Sequence, residues 1–196
     1  MKRLLEPDTT LYPVPVVLVT CGGERPNVFA LNRISSCNAE PPMLAISVRP
    51  ARYSHDLIRE CQEFVVNIPT PDMELISDYV GVVTGREEDK WAVIGLTPIS
   101  GAVIKTPLIA ECPVNIECRV AHETRLPSHT MFVGEVVAIH ADETILNARG
   151  EVDWARARPF AYAAGVVRER PVPNVNVAEL REQVRARQSQ ARWTAY

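Results

Sequence analysis

Several signatures of common protein classes are missing from this chain. No apolar run approaches the roughly 20 residues of a membrane helix, and the opening MKRLLEPDTT lacks the apolar stretch of a secretory leader. A cytoplasmic protein with no membrane association is the expectation. The five cysteines, Cys21, Cys37, Cys61, Cys112 and Cys118, form no C-x-x-C pair and have no histidine at metal spacing. Their odd number and scatter suit reduced thiols, so neither a disulfide framework nor a metal site is expected. No G-x-G-x-x-G follows a strand pattern, which argues against a Rossmann nicotinamide site, and Cys21-Gly22-Gly23 reads as a turn. No serine, histidine and acid arrangement or paired-carboxylate motif stands out. A net charge of −3 with interspersed signs does not supply the concentrated basic surface that nucleic acid requires.

What is present is a chain rich in short β patterns. With 196 residues, 46% of them hydrophobic, it can bury a substantial core, and one domain over residues 1–170 with an extension over 171–196 is the natural division. Val16 to Cys21 is a continuous, β-branched apolar run, as expected of a strand covered on both faces, and Met43 to Val48 and Phe64 to Ile68 read the same way. From Val114 to Val120 the pattern has period two, which turns Asn115, Glu117 and Arg119 toward water or another layer. Met131 to Ile139 is a further long strand, in which Gly134 marks a bulge or a close backbone approach. Many strands, few helices and sixteen prolines point to a closed or nearly closed antiparallel barrel.

Helical patterns are short. They cover Ser54 to Cys61, Asp72 to Val80 with Met73, Ile76 and Val80 on one face, and Glu87 to Val93, with Val82 to Arg86 as a loop. After Pro171-Val172-Pro173, Val177 to Arg192 reads as a helix with a narrow stripe of Val177, Leu180 and Val184. That stripe suits packing on a second subunit, and a solvated, arginine-rich tail accounts for it equally well.

Residues around 49–58 gather an unusual set of groups. Ser54 reads as an N-cap, Asp56 falls in the first turn, and Pro50 sets the chain entry. Free amides at a helix head carry partial positive charge, and Arg49 and Arg52 add two guanidinium groups that can hold a phosphate bidentately. From the residues alone, an anion site and a plain charged loop both remain open.

The chain resembles the flavin reductase-like family of FMN-binding split barrels, which includes flavoredoxins and the reductase components of two-component monooxygenases. The resemblance runs over roughly residues 10–165. It is carried by PVPVVLVTC at 13–21, the Asn27 to Asn38 turn leading into Pro41-Pro42, AISVRPARYSHDLI at 45–58, EFVVNIP at 63–69, Asp89-Lys90-Trp91 and SHTMFVGEVV at 128–137. It implies a mainly β fold, an antiparallel split β-barrel with a few short helices and a C-terminal helix. It also implies that Ala30, Leu31, Asn32 and Arg33, followed by Ser35 and Ser36, lie along the flavin ring and ribityl chain. Val48, Arg49, Arg52 and Ser54 fall to the phosphate, and Lys90 near the flavin. His129 matches the family's histidine at the active-site mouth, and Tyr162 with Gly165 lies where a second subunit closes the site. Cys37 falls within the flavin turn, and Trp91 reads as the anchor of its helix. The family often has Thr, Ser or Trp where Ala30 and Arg33 stand here.

The activity so implied is NAD(P)H-dependent flavin reduction. FMN rather than FAD is the expected cofactor, NADH or NADPH the transient co-substrate, and free flavin, a monooxygenase or a redox protein the acceptor, all in a homodimer with flavin sites near the subunit interface. Two other readings stand beside it: a flavoredoxin-like FMN carrier fed by a protein partner, and a non-catalytic barrel holding another ligand such as haem or a pyridoxal-type phosphate.

Overall fold

The β-branched runs form the strands their composition demands. The computed structural model describes residues 1–9, 11–162 and 177–193, with the backbone alone for 189–193. After a short β1 (Val14–Pro15) come β2 (Val17–Cys21), β3 (Asn27–Leu31), β4 (Ile34–Asn38) and β5 (Met43–Val48). Helix α1 (Tyr53–Cys61) leads into β6 (Glu63–Ile68), and α2 (Glu74–Val82) and α3 (Lys90–Ile94) follow. The chain then forms β7 (Pro98–Ile99), β8 (Leu108–Ile109), the two 12-residue strands β9 (Val114–Arg125) and β10 (Thr130–Ala141), α4 (Trp154–Ala157), β11 (Ala161–Tyr162) and α5 (Val177–Trp193). Among the described residues no helix is long and apolar enough to cross a membrane. Pro171 to Pro173 and Gly165 lie outside the described residues.

Seven strands make one antiparallel sheet in the order β3-β2-β6-β9-β10-β5-β4. Its two edge strands, β3 and β4, follow each other in sequence with only Asn32 and Arg33 between them. Three Cα steps reach at most about 11 Å, whereas a flat sheet of this order would hold its edges about six strand spacings of roughly 4.8 Å apart. The sheet must therefore roll, and the result is a split barrel. The segment expected to be a turn from Asn27 to Asn38 is thus two strands meeting at a crossing point. Val17, Val19, Ile46, Ile58, Phe64, Val66 and Phe132 fill the barrel interior. Gly134 stands at a bulge where a Cβ would come within 2.6 Å of the Phe64 ring, so only glycine lets β10 pass there.

The period-two reading of β9 holds, and the structure divides its two outcomes among the three polar residues. Arg119 is exposed, but Asn115 and Glu117 are buried beneath the excursion between α3 and β9. Asn115 donates to the Asn67 side-chain oxygen at 2.8 Å and to the Ile109 carbonyl at 2.9 Å, while the Asn67 amide donates to the Leu18 carbonyl at 3.1 Å. Glu117, with no exposed surface, accepts from the amides of Ala102 (2.7 Å), Val103 (2.9 Å) and Ile104 (2.8 Å) and from the His140 imidazole. Alternation fixed the face but not what covers it.

The other helix boundaries shift modestly. Pro71–Met73 is a 3-10 turn ahead of α2, and Asp89 caps α3 by accepting the Trp91 amide at 3.1 Å, so α3 starts later than the expected Glu87. Trp91 anchors α3, its indole donating to the Pro26 carbonyl at 2.9 Å. Helix α5 packs on its own chain: Leu180 and Val184 are buried in the cluster formed by Met73, Tyr79, Val80, Val93 and Ile94. Neither a solvated tail nor a contact with a second subunit is needed to account for its stripe.

Burial by itself raises the Glu117 carboxyl, but the hydrogen bonds from His140 and the three amides outweigh it and hold the group at about 2. Since this lies below the ordinary 4.5, its stabilisation is complete above about 4.5 and is lost as the pH falls through about 2. Glu117→Gln is expected to lower unfolding free energy at pH 7 by about 3 kcal/mol and to flatten the loss of stability between pH 4.5 and 2. Urea unfolding across that range reads both effects.

Candidate functional site

A cleft opens where the crossing point, the end of β5 and the head of α1 meet. It encloses about 160 Å3 and is open to solvent. From β5 the chain turns through Arg49 to Arg52, whose amide donates to the Arg49 carbonyl at 3.0 Å. Arg52, in extended conformation, occupies the N-cap position without a side-chain cap bond. Ser54 is therefore not the cap; it is the second residue of the helix, and its buried hydroxyl accepts from the Asn27 amide at 2.8 Å. The amides of Tyr53 and Ser54, first in α1, have no acceptor within the helix. His55 braces α1 from behind, its Nε2 lying 2.9 Å from the Thr130 hydroxyl and its ring against Phe132.

The opposite wall comes from α2, α3 and the loop between them. Val80, Gly81, Val83, Thr84 and Gly85 line it. A Cβ on Gly85 would strike the Asn27 amide and reach within 3.0 Å of the Tyr53 ring, so the loop touches β3 and α1 as closely as a backbone can. Arg86 pins this approach: it pairs with Asp56, donates to the Ala51 carbonyl at 3.2 Å and lies 5.5 Å over the Tyr53 ring. Lys90 stands 3% exposed, donating to the carbonyls of Val28 (2.8 Å) and Val80 (2.9 Å). An ammonium has three donors, so one remains for the cleft that Lys90 lines.

The third wall is the outer edge of β3. N–H and C=O of one strand residue point the same way and alternate along the strand. Because the Val28 carbonyl meets Lys90 on the side away from β2, Ala30 also presents its amide and carbonyl to that open edge. Asn32, Arg33 and His129 complete the rim, and the Ser128 hydroxyl lies 2.9 Å from the His129 Nδ1.

The cleft is markedly cationic. Among the described residues Arg33, Arg49, Arg52 and Lys90 line it and no carboxylate does, although the whole chain has a net charge of −3. Burial pushes the Lys90 ammonium from 10.5 down to about 8, outweighing an opposing pull from Cys21, and Arg52 adds a smaller repulsion in the same direction as burial. Burial, Arg33 and Arg49 hold the His129 imidazole below its usual value and so favour its neutral form. This electrostatic setting selects an anion.

Ala30, Leu31, Asn32 and Arg33 line the cleft, as do Val48, Arg49, Arg52, Ser54, Lys90 and His129. The structure does not bring three other candidates there. Ser35 and Ser36 stand exposed on β4, and Tyr162 pairs with Val14 and meets the Tyr12 ring at 5.7 Å. Cys37 is exposed on β4 with its thiol 3.5 Å from the Met43 carbonyl. Sequence reasoning overlooked Ser47, Gly81, Thr84 and Gly85. Only the glycine in the loop from Val82 to Arg86 hinted at a close approach. Among the described residues there is no cluster of metal-binding side chains.

Comparison with known proteins shows the family of the chain. Residues 9–169 match the flavin reductase like domain, and the chain belongs to that family. It is 34% identical over 146 residues, 74% of this chain and 81% of the other, to an uncharacterised protein of Archaeoglobus fulgidus. It is 26% identical over 145 residues, 68% of this chain and 74% of the other, to the reductase component of the FADH2-dependent resorcinol hydroxylase of a Rhizobium species. Among solved structures, the flavoredoxin of Desulfovibrio vulgaris (Miyazaki F) superposes with a TM-score of 0.79 at 33% identity, covering 91% of this chain and all of that one.

The sign of the Lys90 effect is testable without any cofactor. Sulfate does not itself titrate near neutrality, so its affinity for the cleft, followed by NMR shifts of the Tyr53 and Ser54 amides, is expected to fall as Lys90 loses its proton through about 8. Lys90→Met should bind sulfate about fivefold more weakly at pH 7 and lose that part of the pH dependence.

Proposed function

We infer that the chain is an FMN-binding oxidoreductase that takes electrons from NADH or NADPH and passes them to free flavin or a partner enzyme. One observation carries the reading: among the described residues, a cleft lined by four cationic side chains and no carboxylate adjoins a helix head on one side and an unpaired strand edge on the other. The residues present fit FMN. Arg49, Arg52 and the first amides of α1 suit a phosphate dianion, and the open amide and carbonyl of Ala30 suit the hydrogen-bonding edge of a flat heterocycle. Ser35 and Ser36, exposed on β4, are not among the groups that line this cleft.

Bound flavin supplies the redox chemistry, exchanging two electrons with a nicotinamide at its ring. The chain's residues bind and orient. Arg33 at the rim places a positive charge beside the ring end, where it favours an anionic ligand state; neutral His129 can accept or donate one hydrogen bond to a nicotinamide carboxamide. The cleft is open enough for a nicotinamide to stack transiently, in keeping with the lack of a dinucleotide fold. A monooxygenase acceptor is supported by the Rhizobium relative, a hydroxylase reductase component.

A second reading is favoured by the flavoredoxin neighbour: a carrier that keeps FMN and is reduced by a protein donor. We also propose a homodimer in which Tyr162 closes the cleft of the other copy. It is supported by the open cleft and by the exposure of Leu4, Leu5 and Leu11 near the N-terminus; sedimentation of the purified protein is expected to give two copies.

The absorption spectrum of freshly purified protein should show oxidised flavin, and mass analysis of what is released should give FMN. NADH or NADPH oxidation with added FMN separates the reductase from the carrier, which would be yellow yet inert to both nicotinamides. The double variant Arg52→Ala, Ser54→Ala is expected to weaken FMN binding at least tenfold, since charge-assisted bonds to phosphate are worth roughly 1.5–3 kcal/mol each. Undiminished affinity would place the phosphate elsewhere.

A further inference from the structure

The C-terminal helix reaches the cleft without lining it. Helix α3 has five residues, too few to hold its own conformation in water. Yet it carries Lys90, whose two hydrogen bonds to β3 and α2 set one wall of the cleft. What holds α3 from behind is α5. Arg181 pairs with Glu88 at 2.6 Å, two residues before Lys90, in a half-buried ion pair. Gln188 donates to the Val93 carbonyl at 2.9 Å in the last turn of α3, and Gly95 leaves the room this contact needs, since a Cβ there would lie 2.7 Å from the Gln188 amide. Leu180 and Val184 seal the apolar seam between the same elements.

We propose that α5 is a positioning element of the cofactor cleft, with Arg181 as a latch that fixes the segment from Thr84 to Lys90 through Glu88. The identity of the cofactor rests on the proposed function; the latch itself does not. Arg181 touches neither the cleft nor its ligand, so its action passes through Glu88 and α3. A pair exposed at 36% and 19% is screened less than a surface pair and is directional enough to choose one seating of the loop. The buried Tyr79 hydroxyl lies close enough to interact with both Glu88 and Arg181, so a Glu88 released from Arg181 still has Tyr79 beside it.

Amide hydrogen exchange of the protein without flavin tests the latch directly. Arg181→Met is expected to speed exchange of residues 84–94 by about tenfold, leave the barrel strands β6 and β9 protected as before, and weaken FMN binding by a similar factor. Arg181→Lys, which keeps the charge, should restore most of both. Unchanged exchange in 84–94 with Arg181→Met would overturn the proposal, as would faster exchange spread evenly over the barrel, which marks general destabilisation. If Arg181→Met does not fold, Gln188→Ala, which loosens only the far end of α3, is read by the same local pattern. A wild-type protein that binds no FMN refutes the cofactor reading and leaves the exchange test standing.

Discussion

Everything at the site follows from the two-residue passage between β3 and β4. Because Asn32 and Arg33 carry the chain from one edge of the seven-stranded sheet to the other, the sheet rolls until its edges approach, and the outer edge of β3 is left without a strand partner. An unpaired edge is a liability in most proteins, since its amides and carbonyls seek another strand. Here α2 and α3 pack over part of it and Lys90 satisfies the Val28 carbonyl, which leaves the stretch around Ala30 as a short, recessed row of polar groups. A row so recessed cannot accept a strand from another molecule, but it can accept a flat ligand.

Two buried charges show how the fold treats ionic groups differently according to use. Glu117 has four donors, three of them backbone amides, and its carboxyl is held far toward ionisation at about 2. Lys90 has two carbonyls for three donors, and its ammonium is driven the other way, down to about 8. The carboxylate is satisfied and binds a loop to the barrel. The ammonium is under-satisfied, with Arg52 adding repulsion, so an anion entering the cleft relieves a strain already present. That difference separates a structural ion from a binding one more clearly than burial, which both share.

The sequence was legible where local physics decides. β-branched runs became the strands of the core, while the density of arginine around a helix start left an anion site and a plain charged loop both open. It was less legible where a residue's role depends on what lies across from it. Ser54 has the chemistry of a cap, but the turn closed by Arg52 sets the cap two residues earlier and hands Ser54 to Asn27. Period two put Asn115 and Glu117 on one face of β9 without revealing that residues 102–109 cover it. Lys90 becomes a buried group of the cleft only because α2 and β3 close around it. Ser35 and Ser36 continue the segment that carries the site, yet the crossing at Arg33 puts them beyond it, on the opposite edge of the sheet.

The same geometry separates binding from reaction. The groups suited to holding an anionic, planar ligand sit on α1, the edge of β3 and α3, all tied into the core by Asn27, His55 and the two bonds of Lys90. Those suited to deciding its chemistry, Asn32, Arg33 and His129, sit on short connections at the open rim, where a change of side chain disturbs no packing. Rim residues can therefore vary while the cleft keeps its ligand. A barrel built this way accommodates both a carrier and a reductase, and the likeness of this chain to a flavoredoxin and to a hydroxylase reductase component is what such a division predicts.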